Sequence, residues 1–178
     1  MRLDHIAYRV KNRESAIKFL KLSLGYDIDP DLKEGFDILF EDGSKARCYA
    51  LVPPESASGC RSRTWEGYYG VQFHSPPEIF VSEGTDNSIV ADWVEKNGPG
   101  IHHLAYEVDS VNDAMKKWKR EGVEFTTEEP MRCPGLVQVF TKPHPETGMI
   151  YELIERESKG FCKDNVKDLM NSTKDLVQ

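Results

Sequence analysis

Two histidines stand in matching runs of the chain, His5 in LDHIAYRV and His103 in IHHLAYEV. Neutral imidazole nitrogen is a common ligand for divalent metal ions, so a pair that converges is the start of a metal site. Two polar residues lie inside apolar runs, Gln72 in GVQFHSP and Glu152 in MIYELIER. A carboxylate buried without a partner is costly. A divalent cation removes that cost and holds imidazoles at the same time. His5, Gln72, His103 and Glu152 are therefore the expected four-ligand set, with further positions left for water or substrate oxygens.

His102 adjoins His103, and neighbours on a regular strand point to opposite faces. Only one of the two is expected to face the site. Internal repetition selects His103. Laid over residues 101–108, residues 3–10 match at His, Ala, Tyr and Val, with Ile6 against Leu104. The register continues through Ala16 and Ala114, Ile17 and Met115, Leu20 and Trp118, then Gly25 and Gly122 after one slipped residue. His5 thus falls on His103. In strand alternation His5 shares its face with Ala7 and Arg9, and His103 shares its face with Ala105 and Glu107. A small residue beside each imidazole leaves space in front of it.

The elements that position these residues also recur. Apolar residues at 16, 17, 20 and 24 predict a helix over 12–24. Ser110 or Asn112 predicts the start of its counterpart, which carries Val111, Met115 and Trp118 on one side. Strands are predicted at 36–40, 46–52 and 69–73 after the first helix, and at 123–127, 137–141 and 149–154 after the second. The order strand, helix, three strands therefore occurs twice. This is an α+β chain of paired βαβββ units, 1–74 and 101–157. A linker at 75–100 holds a short helix at 87–96, and a tail at 158–178 holds a helix with Val166, Leu169, Met170, Thr173 and Val177 on one face. Residues 53–67 read as an exposed loop, with Arg61 and Arg63 solvated.

The totals set limits. The chain of 178 residues is long enough for one domain, and its 39% apolar and 30% charged residues fit a globular protein rather than a disordered one. A net charge of -7 argues against nucleic acid as a partner, since phosphate binding needs clustered cations. No apolar run approaches a membrane span. The start MRLDHIAY has no apolar leader stretch, so the expected location is cytoplasmic. Cys48, Cys60, Cys133 and Cys162 are scattered without metal-site spacing and are expected as reduced thiols.

With LDHIAYRV and IHHLAYEV in place, the chain resembles the vicinal oxygen chelate superfamily, which includes glyoxalase I, methylmalonyl-CoA epimerase and 4-hydroxyphenylpyruvate dioxygenase. The resemblance implies paired βαβββ units in a mixed sheet that curls around a metal cavity, to which the chain adds its C-terminal helix. GVQFHSP, SIVADWVEKNGPGIHHLAYEVDSV and REGVEFTTEEP are similar to the epimerase, which implies a metal held by His5, Gln72, His103 and Glu152. The epimerase base would lie on an inner strand, where KARCYALVPP offers Cys48 or Tyr49. Tyr49, Glu41 and a partly dissociated Glu152 are the candidate bases. LVQVFTKPHPETGMIYELIERE and KGFCKDNV are instead similar to the catalytic half of the dioxygenase. That implies iron on His5, His103 and Glu152, substrate contacts from Gln138 and Phe140, and a lid around Phe161.

The activity implied is that of a divalent-metal enzyme (Co, Mn, Zn, Ni or Fe) of the glyoxalase or epimerase kind. It would stabilise the enolate of a small acyl-CoA or 2-oxo substrate during proton transfer. An Fe(II) dioxygenase is the alternative, and a small-molecule binding protein without chemistry is a third reading. The partner in each case is a small molecule, and a homodimer is compatible with all three.

Overall fold

Asn12 and Gly25 bracket the first helix. The Asn12 side chain accepts the Ser15 N–H at 2.8 Å, and Gly25 takes the left-handed turn (φ 74°) that ends α1 (Arg13–Leu24). The strand before it, β1 (Arg2–Val10), leads in, and β2 (Asp27–Ile28), β3 (Phe36–Leu39), β4 (Lys45–Val52), β5 (Gly59–Trp65), β6 (Tyr68–His74) and β7 (Glu78–Gly84) follow. Then come α2 (Ile89–Asn97), β8 (Gly100–Glu107), α3 (Val111–Arg120), β9 (Met131–Cys133), β10 (Leu136–Phe140), β11 (Ile150–Arg156) and α4 (Lys163–Ser172). This computed structural model describes the chain except residues 58, 66–67, 75, 158–161 and 177–178, and over 59–65 and 68–74 it describes the backbone only.

Nine strands form one mixed sheet in the order β2-β4-β7-β1-β8-β11-β10-β9, with β3 added on β4. The two repeat strands β1 and β8 lie antiparallel at its centre, with His5 opposite Ala105 and Ala7 opposite His103. Outward from them the halves mirror each other: β7 runs parallel to β1, and β11 runs parallel to β8. The paired α+β architecture expected from the repeat is the one observed.

Alternation on β1 does the sorting. His5, Ala7 and Arg9 are buried on one face. Tyr8 and Val10 on the other pack with Ile17 and Leu20 of α1 and with Leu51, Ile79 and Val81. The second half repeats this layer with Val111 and Met115 of α3 against Phe125, Val139 and Leu153. Each helix therefore seals the outer face of its own sheet half, and the inner face is left for α4 to cover. Leu169 of α4 packs on Phe140 and Ile150, and Val166 and Met170 pack beside Phe36, Ile38 and Val90.

Several local expectations change. Part of the segment read as an exposed loop is β5, which pairs with β6 in a separate two-stranded sheet. The strand beside β1 is β7, inside the stretch read as linker, and α2 follows it where a short helix was expected. Residues 123–127 contribute a single bridge, Phe125 to Thr141, rather than a strand. Cys133 and Cys162 form a disulfide that ties β9 to the start of α4, contrary to the reduced state expected for both. Cys48 is a free, buried thiol. No helix among the described residues is long and apolar enough to cross a membrane.

Candidate metal centre

The centre of the sheet brings three predicted ligands together. His5 Nε2 lies 3.3 Å from His103 Nε2 and 3.4 Å from Glu152 Oε2, and His103 Nε2 lies 3.1 Å from the same oxygen. His5 comes from β1, His103 from β8 and Glu152 from β11, so the antiparallel centre and its parallel neighbour build the triangle. A divalent ion about 2.1 Å from each donor would hold neighbouring donors about 3.0 Å apart in an octahedron and about 3.4 Å in a tetrahedron. The observed spacing matches three ligands on one ion. Glu152 is 1% exposed and His5 5%, which is the burial at which a carboxylate needs a cation.

Electrostatics agree with the geometry. Burial opposes charge on His5, yet the carboxylates of Asp4 and Glu152 outweigh it and raise its pKa to about 9. Burial likewise raises Glu152, and the two imidazoles overcome it and hold the carboxyl well below the usual range. Burial, with Glu152 opposing, pushes His103 down. A carboxylate beside one imidazole held as a cation and one held neutral is a site prepared for positive charge, which a metal ion would supply by displacing the His5 proton.

The surrounding residues fix the ligands. His5 Nδ1 donates to Asp4 Oδ2 at 2.8 Å, which leaves Nε2 to face the other two donors, and Arg156 donates to the same oxygen at 2.8 Å. Gln138 Nε2 donates to Glu152 Oε1 at 2.6 Å, and Asn165 of α4 donates to Gln138 Oε1 at 3.1 Å. Glu152 is thus gripped on one oxygen and presents the other. The Phe140 ring lies 4.6 Å from that of His103.

His102 departs from expectation. The pairing of β1 with β8 skips it, passing from Ala7 opposite His103 to Tyr8 opposite Ile101. This β-bulge cancels the alternation, so both histidines line the cavity. His102 Nδ1 lies 2.8 Å from His103 Nδ1, and its ring rests on Trp93. When Nε2 of His103 faces a metal, its Nδ1–H donates to His102.

Gln72 lies on β6, which pairs with β5 in the separate two-stranded sheet, and its side chain is outside the described residues. The parallel pairings place Phe80 opposite Ala7 as they place Glu152 opposite Ala105, so Phe80 holds the position expected for a fourth donor. Of the candidate bases Glu152 is in the triad, and the other two are elsewhere. Glu41 is exposed on the turn between β3 and β4, and Tyr49 packs in the α1 layer beneath the Arg13 guanidinium. Cys48 does line the cavity, but burial pushes its thiol up to about 12. Gln138 and Phe140 line it as expected, and Phe161 lies outside the described residues.

The cavity in front of the triad has mostly apolar walls, including Phe36, Phe80, Leu136, Val166 and Met170. The profile of the Glyoxalase/Bleomycin resistance protein/Dioxygenase superfamily matches residues 4–136. The chain belongs to that superfamily. Human mitochondrial methylmalonyl-CoA epimerase is 25% identical over 157 residues, which cover 85% of this chain and 72% of that protein. Methylmalonyl-CoA epimerase from Mycobacterium tuberculosis superposes with a TM-score of 0.61 at 22% identity, over 89% of each chain. A mutant of 4-hydroxymandelate synthase from Streptomyces coelicolor superposes with a TM-score of 0.72 at 18% identity. That match covers 97% of this chain and 53% of the synthase, so this superfamily member corresponds to about half of the larger enzyme.

Sequence reasoning missed Asp4, His102 and Phe80. The acid next to His5 was visible in LDHIA as a partner for its ring. The bulge at His102 and the register of Phe80 arise only from strand pairing.

Proposed function

We propose that this member of the superfamily is a non-haem Fe(II) oxygenase acting on a small 2-oxo acid with a largely apolar body. One observation carries the reading: Phe80, not a donor, stands at the register position equivalent to Glu152. Two histidines and one carboxylate on one side of an ion are the ligand set of non-haem Fe(II) oxygenases, in which open positions take substrate and O₂. Bound Fe(II) would supply Lewis acidity and the electrons for O₂ activation.

The chain's own residues do the rest. Asp4 holds His5 in the ligating tautomer, Gln138 holds Glu152, and the α4 residues Val166, Leu169 and Met170 wall the cavity from water. Around the substrate most of the walls are aromatic or aliphatic, which suits a largely apolar body. Proton-transfer chemistry of the epimerase kind has support from the likeness to the human enzyme, but it needs a base within reach of substrate; of the three candidates Glu152, which the triad uses, lines the cavity, and Glu41 and Tyr49 do not.

Anaerobic loading with Fe(II), followed by oxygen uptake on addition of a panel of 2-oxo acids, tests the proposal. Uptake in the wild type and its loss in His103→Ala support it. No oxygen uptake, together with solvent deuterium entering methylmalonyl-CoA on the Co(II)-loaded protein, would replace it with the epimerase reading.

A further inference from the structure

Arg9 is a buried cation without a counter-charge among the described residues. It is 2% exposed and lies on β1 on the same face as His5 and Ala7, lining the same cavity. Its Nη2 donates to Thr173 Oγ1 at 3.3 Å, and its Nη1 has no hydrogen-bond partner among the described residues. The guanidinium carbon lies 5.5 Å from the centre of the Trp93 ring. Ser82, opposite it on β7, spends its hydroxyl hydrogen on the Tyr8 carbonyl, and nearby Cys48 is a neutral thiol. By contrast Arg156, which also lines the cavity, is paired with Asp4.

A structural role accounts for only part of this. The bond to Thr173 pins the chain just beyond α4, but it uses one of the five N–H donors of the side chain. At neutral pH the buried guanidinium is charged, and an uncompensated charge in such a place is destabilising. Between Arg9 and the triad the wall carries apolar Ala7 and Phe80, and beside them the His102 ring against Trp93.

We propose that Arg9 binds an oxyanion, carboxylate or phosphate, at the end of the substrate remote from the triad. The substrate class is then a 2-oxo acid with a second anionic group at its far end and an apolar middle. Bidentate pairing of guanidinium with such a group would satisfy the free donors. This inference rests on the triad reading for the near end only, and its test separates the two.

The Mn(II)-loaded protein is titrated with 2-oxoglutarate and with 2-oxopentanoate, which has the same chain length and no second carboxylate. The wild type is expected to bind 2-oxoglutarate at least tenfold more tightly. Arg9→Met is expected to erase that preference while its affinity for Mn(II) and for 2-oxopentanoate stays unchanged, and Arg9→Lys to retain part of it. Competition by inorganic phosphate against 2-oxoglutarate alone would mark phosphate as the natural far end, and lack of competition would mark carboxylate. Equal binding of the two acids by the wild type overturns the proposal, whether or not the variant folds. So does a preference that survives in Arg9→Met.

A second arm uses metal-free protein melted with glutarate. Protection of the wild type but not of Arg9→Met supports the Arg9 site even if Mn(II) does not bind, in which case the triad reading alone fails. Mn(II) binding without glutarate protection and without the acid preference leaves the triad standing and removes the Arg9 site.

Discussion

Phe80 and Glu152 occupy equivalent places in the two halves of the sheet, one opposite Ala7 and the other opposite Ala105. The Phe80 ring sits 4.7 Å from the His5 imidazole, where its symmetry mate Glu152 reaches both histidines. The pseudo-twofold therefore delivers two imidazoles but only one carboxylate. Phe80→Glu would restore the fourth donor. That variant is expected to bind Zn(II) or Mn(II) at least tenfold more tightly by calorimetry and to lose any oxygen uptake, because a position needed by substrate or O₂ is filled. Unchanged metal affinity would show that position 80 does not face the ion.

Removing charge from the carboxylate has the opposite effect. Glu152→Gln keeps the shape and the contact with Gln138, but loses the buried anion that touches both imidazoles. Metal affinity is expected to drop at least 100-fold, about 2.7 kcal/mol, with little change in far-UV circular dichroism. A variant that binds metal as tightly as the wild type would disprove the triad.

Asp4 tests how far orientation matters. It touches His5 Nδ1 and Arg156 but is not in the triad. Asp4→Asn is expected to weaken metal binding by 10- to 100-fold, the range typical of groups that orient a ligating histidine. The fall should be smaller than that of Glu152→Gln in the same titration. An equal or larger fall would mean that Asp4 is itself a ligand.

The pairing of His5 with His103 was legible because the repeat carries it in the residues themselves, and both helices could be found from their apolar stripes and caps. Glu152 was legible as a lone acid in an apolar strand. The strand that lies beside β1 was not. Gln72 and Phe80 lie in neighbouring strand-like runs, and only hydrogen-bonded register decides which run lies beside β1. His102 escaped for a related reason. A bulge adds one residue to one strand, which reverses side-chain facing without leaving a mark in the sequence. The Cys133–Cys162 bond escaped because the two residues meet only when α4 folds back over the sheet.

That bond makes α4 a measurable element. It closes a loop with a sequence separation of 29, which in a chain-entropy account contributes about 3–4 kcal/mol. Cys133→Ser with Cys162→Ser is expected to lower the melting temperature and to raise hydrogen exchange in 163–172 more than in 13–24. Equal exchange in both helices would mean that packing of Leu169 and Met170 suffices to hold α4.

Proton linkage gives a test of the metal-free site. The folded pKa of His5 lies at about 9, above the ordinary value of 6.5, because Asp4 and Glu152 outweigh its burial. Its contribution is complete below about pH 6.5 and is lost as pH rises through about 9, amounting to roughly 3 kcal/mol. His102 and His103 are pushed down, chiefly by burial, so they destabilise only below 6.5 and leave this window clear. Arg9, lowered to about 9, and Cys48, raised to about 12, alter the balance mainly above pH 9. The metal-free protein is therefore expected to melt at progressively lower temperature from pH 6.5 to 9. Saturating Mn(II), which holds His5 neutral, should flatten or reverse that slope, and Glu152→Gln should shrink it. A melting temperature that is level across the window without metal would show that His5 is not held as a cation between Asp4 and Glu152.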